Sequence, residues 1–446
     1  MIGRNTALAL FAAALLPRLV FVLWAPGEPA ADGQFYHAYG EHIARGWGYI
    51  DLDGSPVVRW VPGWPMLLGG LYAVFGSGTQ VALFANAFFD ATTATLLSLL
   101  GSRLFGRRIG LCAGGLYALW PGMIFLCGSH MSEPLFNVLL VAALLLTVEA
   151  AGADSLRITR FAAAGLCLGA AALVKAEPLV TTPGIAFYLW QTRRGGADFT
   201  RTTAVLFLVA AAVLVPWTVR NYLTFDRFLP TAASGGIGVY LANHPGATGG
   251  QDFLANRALQ QRFKRENAAW TAIARNDAGW RDAWAFVRAN PGEESRIIAN
   301  KLRLTYRSDA RGAKLVRGLG PDPAAWHLDP ATWQRLQWTA NGYWFTMLAL
   351  ATVGLATTRS WKRGTAALLL LGVLLPWLCL HIVLLGGPRY HVPQIPVLAL
   401  LAACGIAQLR RGRTAAEPAS RTTPAPEMNP AGRETDPDPA ETPRSD

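Results

Sequence analysis

Several ionisable residues stand at the borders of long apolar runs, where side-chain chemistry is costly to keep. Asp32, in ADGQFYHAYGEHIARGWGYIDLDGSPVVRW, lies a few residues after the first run, beside His37, several aromatics and a basic residue. Glu133 opens another run in GSHMSEPLF, and Lys175 and Glu177 stand together in LVKAEPLV. Arg220 closes a run in PWTVRNY, and Arg389, Tyr390 and His391 fill the break GGPRYHVPQIP. A carboxylate held at an interface among such neighbours can act as a general base. It can equally cap a helix, for which Asp is favoured, and spacing alone favours the cap for Asp32. The other charges can snorkel to the interface, but charges so close to apolar spans tend to pair or to serve a site. Two carboxylates and several cations on one membrane face suit an anionic lipid substrate altered there.

The elements that would position these residues are membrane spans. Of 446 residues, 52% are hydrophobic and 15% charged, whereas soluble domains carry about 25% charged residues. A helix crosses the hydrocarbon core with about 20 apolar residues. Spans are predicted at 6–24, 80–101, 109–127, 132–150, 161–175, 178–190, 203–219, 340–357, 365–385 and 392–409. The expectation is therefore an all-α polytopic bundle of about ten helices. The stretch 64–76 is short and reads as re-entrant or interfacial. The first span, with Pro17 and Arg18 inside it and no small-residue cleavage site after it, reads as a retained signal anchor.

Alternate connections are basic: Arg103, Arg107 and Arg108; Arg157 and Arg160; Arg193, Arg194 and Arg201; Arg359, Lys362 and Arg363; Arg410, Arg411 and Arg413. With Arg4 inside, this alternation puts both termini in the cytoplasm and segments 25–79 and 220–339 on the opposite face. The chain then divides into a membrane region 1–219 that includes the first outer loop, an outer segment 220–339, further spans over 340–413, and a tail 414–446. Helices are expected near 251–275, 280–290 and 293–308. Trp270, Trp280, Trp284, Trp326, Trp333 and Trp338 suit either a domain lying on headgroups or an ordinary small core. The tail is rich in Pro, Ala, Thr and Glu, too poor in large apolar residues to bury a core, and is expected to be disordered.

The formal charge of +12 does not point to nucleic acid, because the cations sit in short tracts between spans rather than in a groove with interleaved aromatics. The five cysteines, Cys112, Cys127, Cys167, Cys379 and Cys404, fall in or beside apolar runs and form no CxxC pair. They read as small packing residues. No cluster has metal-ligand spacing, so neither a metal nor another cofactor is expected.

Taken in order, DGQFYHAYGEHIARGWGY with the downstream RWVPGWPMLLGGLYAVFG, then SEPLF, KAEP, VPWTVRNYLTFDRFLPTAASGGIGVYLANHPGATGG and PRYHVPQIPVLALLAA resemble bacterial GT-C glycosyltransferases that use polyprenyl-phosphate sugars. These include protein mannosyltransferase-like, aminoarabinose transferase-like and lipopolysaccharide-core transferase-like proteins, and the resemblance covers roughly residues 5–410. It implies a GT-C bundle and an inverting transfer on the periplasmic face of the bacterial inner membrane. The acceptor would be a glycolipid, a polysaccharide or a protein. It implies that Asp32 is the catalytic carboxylate, that Arg59, Arg220, Arg389 and Lys175 hold the donor phosphate, and that His37, Glu133, Tyr390 and His391 contact substrate. Many relatives place a second acid beside the first; here that position is Gly33, a departure from the protein-mannosylating branch. A lipid-linked-sugar carrier or flippase would instead keep ionisable residues within its spans and broken helices at matching positions in two halves, whereas the charges here sit mostly at span ends, with Arg18 and Asp90 the main exceptions. A structural subunit would need no Asp32 at all.

Overall fold

The structure, a computed structural model, describes residues 2–153, 156–193, 196–266, 271–318, 327–358 and 364–416. The expected disorder of the tail, and Trp270, Trp326, Arg194, Arg359, Lys362 and Arg363, fall almost wholly outside these residues. Residues 1–408 form one compact unit, and the end of the last helix begins a second.

The first half of the chain is a run of helices. α1 (Arg4–Trp24) leads into α2 (Asp32–Ala44) and α3 (Gly63–Phe75), followed by α4 (Thr79–Phe105), α5 (Arg107–Ala118) and α6 (Pro121–Cys127). Next come α7 (Glu133–Ala151), α8 (Ile158–Val174), α9 (Thr182–Arg193) and α10 (Gly196–Phe225). Five shorter helices form the connecting segment: α11 (Gly235–Ala242), α12 (Phe253–Glu266), α13 (Ala272–Ala289), α14 (Pro291–Tyr306) and α15 (Arg311–Arg317). The chain closes with α16 (Pro330–Thr358), α17 (Gly364–Val383) and α18 (Ile395–Ala416). Among the described residues there is no strand, only one isolated bridge between Ile50 and Pro56.

The protein is an all-α polytopic membrane protein, but the count of ten spans is not reproduced. Among the described residues, six helices are long and apolar enough to cross a membrane, or seven if the bent pair α5 and α6 is one span. A helix lies at each of the ten predicted places. Beyond the bent pair, three predicted spans fall short: α8 has 17 residues, the stretch 178–190 splits into a 3-10 turn and the 12-residue α9, and α16, although 29 residues long, is not among the helices apolar enough to span. Pro178, at the start of that turn, separates it from α8, since a proline cannot continue a helix from the residues before it.

α4 packs on α1, α5 and α7, and α7 in turn on α8. α7 and residues 395–405 of α18 are almost wholly buried, so they read as unbroken apolar runs rather than amphipathic ones. On α1, by contrast, Leu8, Leu16, Val20 and Leu23 are exposed, as suits an outer helix facing lipid.

The bend of 51° between α5 and α6 follows from Pro121, which leaves Trp120 extended at ψ 107°. The bend strands carbonyls at the end of α5 inside the bundle, and Arg18 caps them. Its Nη1 donates to the carbonyl of Ala118 (2.8 Å) and its Nη2 to that of Tyr117 (3.3 Å), while Nε pairs with Asp90 Oδ2 at 2.6 Å. Tyr117 donates to Asp90 Oδ1 at 2.6 Å. The mid-span charges thus form a closed, fully satisfied knot at a helix break.

Candidate active site

Asp32 is the first residue of α2, not its cap. The N-cap is Ala31, which makes no side-chain capping bond and holds φ at +52°. A residue with a Cβ is strained there, at a cost of order 1–3 kcal/mol, and such strain collects at functional positions. The Asp32 carboxylate, four-fifths buried, forms an ion pair with Arg389. The positive end of α2 further favours its ionised form. Burial raises its pKa, but Arg389 first, then Lys175 and Arg59, more than offset that and hold it below the usual carboxylate value.

Arg389 is fixed by its own loop. The indole of Trp377 on α17 donates to the carbonyl of Tyr390 at 2.8 Å, the backbone of Gly386 donates to Gly249 at 2.8 Å, and the guanidinium sits 5.4 Å from the centre of the Tyr390 ring. Tyr390 therefore lies against the Asp32–Arg389 pair, and burial, ahead of all else, pushes its phenol up.

Glu133, the first residue of α7, is 1% exposed and lies 3.2 Å from Lys175 Nζ, just beyond the end of α8. The ammonium is off the hydrogen-bonding direction, so neither carboxylate oxygen has a hydrogen bond. A buried acceptor left so is unusual and asks for a missing partner. Tyr36, one turn along α2 from Asp32, is buried beside both carboxylates; burial first, then the charges of Asp32 and Glu133, push its phenol well up. The structure thus brings Asp32, Arg389, Glu133, Lys175 and Tyr390 to one end of the bundle.

The remaining predicted residues stand elsewhere. Arg59, over the ring of Trp60 at 5.0 Å, borders an open polar groove of about 1190 Å³ that Asp51, Asp53, Arg275 and Asp277 also line. Arg220 is spent on backbone: Nη1 donates to the carbonyl of Val57 (2.7 Å) and Nη2 to that of Tyr49 (3.4 Å), and the guanidinium covers Trp217 at 4.8 Å. It clamps the loop that carries Arg59. His37 bonds the Tyr72 hydroxyl at 2.8 Å; burial, against the pull of Glu41 and Glu28, holds its pKa below the ordinary value. His391 is fully buried, with Nδ1 at 2.8 Å from the Thr305 carbonyl and Nε2 at 2.9 Å from Asp309 Oδ1, and stacks on Trp344 at 4.2 Å. A side chain at Gly33 would put its Cβ 2.9 Å from that of His130, so the second acid of many relatives has no room here.

Sequence reasoning missed Arg311, Tyr36 and Asp309. Arg311 begins α15, packed so tightly on α6 that a Cβ on Gly312 would lie 2.3 Å from the backbone nitrogen of Leu126. Asp309 accepts from Trp120 at 2.7 Å as well as from His391 and pins the chain just before α15. The signal available was the run of small residues in DARGA, which marks close backbone approach. Among the described residues, no three His, Cys, Asp or Glu side chains converge closely enough to hold a metal ion.

Comparison with known proteins bears on this geometry. Residues 55–219 match the family model of dolichyl-phosphate-mannose-protein mannosyltransferases. No curated protein sequence matches the chain. The fold is similar to the oligosaccharyltransferase AglB of Archaeoglobus fulgidus in complex with an inhibitory peptide and a dolichol-phosphate: TM-score 0.54 and 15% identity over 93% of this chain and 52% of that one. A second structure of that oligosaccharyltransferase, tethered to an acceptor peptide, gives 0.55 and 16% over 92% and 50%. ArnT of Cupriavidus metallidurans bound to undecaprenyl phosphate aligns at 0.45 and 14%, over 92% and 80%. The chain thus spans about half the length of the AglB structures it matches. The class is defined by fold: the bundle is of the GT-C type. Within that class, residues 55–219 carry the pattern of the dolichyl-phosphate-mannose-protein mannosyltransferase family.

Proposed function

We propose that this chain is an integral-membrane glycosyltransferase that moves a sugar from a polyprenyl-phosphate donor to an acceptor, with inversion, on the periplasmic face of the bacterial inner membrane. The observation that carries the reading is Asp32: a carboxylate on a strained helix start, ion-paired to Arg389, where apolar spans end. The alternation of basic loops supports cytoplasmic termini and an outer site.

Asp32 takes the proton of the acceptor hydroxyl as that oxygen attacks the anomeric carbon from the face opposite the lipid phosphate. The carbon–oxygen bond to the phosphate breaks and its electron pair stays on the phosphate. Cations placed to meet that growing charge lower the barrier, by several kcal/mol per preorganised donor in a dry site. Arg389 and Lys175 are the nearest such groups. A carboxylate held by an arginine is a weak base; a phosphate that draws the Arg389 guanidinium toward itself raises the basicity of Asp32 when the donor is bound. Glu133 keeps Lys175 in place and offers its free oxygens to sugar hydroxyls, and Tyr390, His37 and, from behind, His391 complete the wall. The polar groove beside Arg59 is wide enough for a hydrophilic acceptor arriving from outside the membrane, with Arg220 holding its rim.

The test is transfer of radiolabel from a panel of polyprenyl-phosphate sugars to extracted glycolipid, polysaccharide and protein by the chain in nanodiscs. Labelled acceptor that depends on the chain supports the reading. A folded protein that transfers from no donor, yet moves labelled donor across a vesicle membrane, replaces it with a carrier.

A further inference from the structure

The cations around Asp32 differ in whether their charge is already answered. Arg389 is paired with Asp32, and Lys175 with Glu133. Arg220 is bound to carbonyls and rings. Arg311 is different: its Nε is buried with no hydrogen-bond partner, and among the described residues it makes no ion pair. It nevertheless sits in the field of the site. Burial first, then the like charge of Arg389, push its guanidinium below the ordinary value, against the pull of Asp32, Tyr390 and Glu133. Its backbone does not give way, because α15 is locked on α6 at Gly312 and Asp309 pins the preceding turn.

Charge balance says what is missing. Asp32 and Glu133 balance Arg389 and Lys175; Arg59, also without an ion pair among the described residues, borders the open groove, whereas Arg311 keeps its charge unanswered with Nε buried, an expensive arrangement unless an anion joins it. A sugar-phosphate diester carries one negative charge, and the guanidinium fork meets two phosphate oxygens at once.

Resting on the transferase reading above, we infer that Arg311 is the group that takes up the phosphate of the lipid donor. It then holds the polyprenyl phosphate as the glycosidic electron pair moves onto its oxygen. Lys314, one turn further on and exposed, lies in the field of the cations Arg311, Arg317 and Arg307. It lies on the approach rather than in the site.

The experiment is equilibrium binding of undecaprenyl phosphate, without a sugar, to the full chain in nanodiscs. Wild type is compared with Arg311→Ala, Arg311→Lys, Lys314→Ala and Asp32→Asn, each checked by thermal melting. Loss of a charged hydrogen-bonding partner predicts binding about tenfold to a hundredfold weaker for Arg311→Ala. Arg311→Lys, which keeps charge but not the fork, falls between that and wild type, and covers the case in which the alanine variant does not fold. Lys314→Ala stays within about threefold of wild type, and Asp32→Asn binds at least as well because Arg389 is freed. Wild-type binding that persists unchanged in a folded Arg311→Ala or Arg311→Lys protein overturns the assignment of Arg311 and leaves the transferase reading standing. No binding by wild type overturns both.

Discussion

The bundle holds two buried centres of opposite charge, and they are built differently. In mid-span, Arg18 and Asp90 are both fully buried, and every strong donor and acceptor between them is used: by each other, by Tyr117, and by the carbonyls at the broken end of α5. At the bundle end, the Glu133–Lys175 pair is only half satisfied. Both Glu133 carboxylate oxygens and the Nε of Arg311 lack hydrogen bonds, and the helix that Asp32 begins is preceded by the strained Ala31. A saturated network spends its interactions on holding the fold; an unsaturated one keeps them for something that arrives. Similar side chains therefore mark a structural knot in one place and, on the proposed function, a binding site in the other.

The contrast breaks most visibly by cutting the saturated pair. Asp90→Ala leaves Arg18 buried without its counter-charge, and should cost about 3–5 kcal/mol, read as a lower melting temperature and poor yield in membranes. Replacing both Arg18 and Asp90 by leucine should cost less than Asp90→Ala alone, although the Tyr117 hydroxyl and the α5 carbonyls then lose partners. A double variant as damaged as the single one would show that capping the helix break, not neutralising a charge, is what the pair does.

At the other centre the effects should fall on activity rather than on stability. Ala31→Gly removes the strain at φ +52° and should raise stability by up to about 1 kcal/mol. It should lower kcat, because the start of α2 no longer fixes Asp32. A smaller and subtler effect is on pH dependence. Because Arg389 holds the Asp32 carboxyl below its usual value, the stabilisation from that pair is complete above the unfolded carboxyl value of about 4 and fades as pH falls through the lower folded value. The acid limb of transfer in the free enzyme should accordingly lie below about pH 4, and Arg389→Gln should move it upward. A limb that does not shift in Arg389→Gln would separate the arginine from the base.

How much of this was legible in the sequence depends on range. Runs of apolar residues, the places of the ten helices and the border positions of Asp32, Glu133, Lys175 and Arg389 are local patterns, and each reads off a short window. Which helices are long enough to span is less local, because the bend at Pro121 and the 3-10 turn that begins at Glu177 break the runs 109–127 and 178–190 that hydropathy alone reads as continuous. The capping expectation for Asp32 failed because it rests on propensity, whereas Arg389 arrives from the far end of the chain and competes for the carboxylate. Arg220, which looked like a phosphate ligand, faces the carbonyls of a loop far away in sequence, and no window reveals that. Arg311 was hidden for the opposite reason: in a long basic segment one more arginine carries no signal until its lack of a partner is seen.

The central claim is that Asp32 is the reacting carboxylate of a lipid-phosphate-dependent transferase, and the most direct test is Asp32→Asn. The substitution keeps the shape and removes the charge, so the account predicts a protein with near wild-type melting behaviour and undiminished binding of undecaprenyl phosphate. Transfer of labelled sugar should drop by about 10²- to 10⁴-fold, the range of a lost general base. A folded Asp32→Asn protein that transfers sugar at the wild-type rate would contradict the account and move the chemistry away from the start of α2.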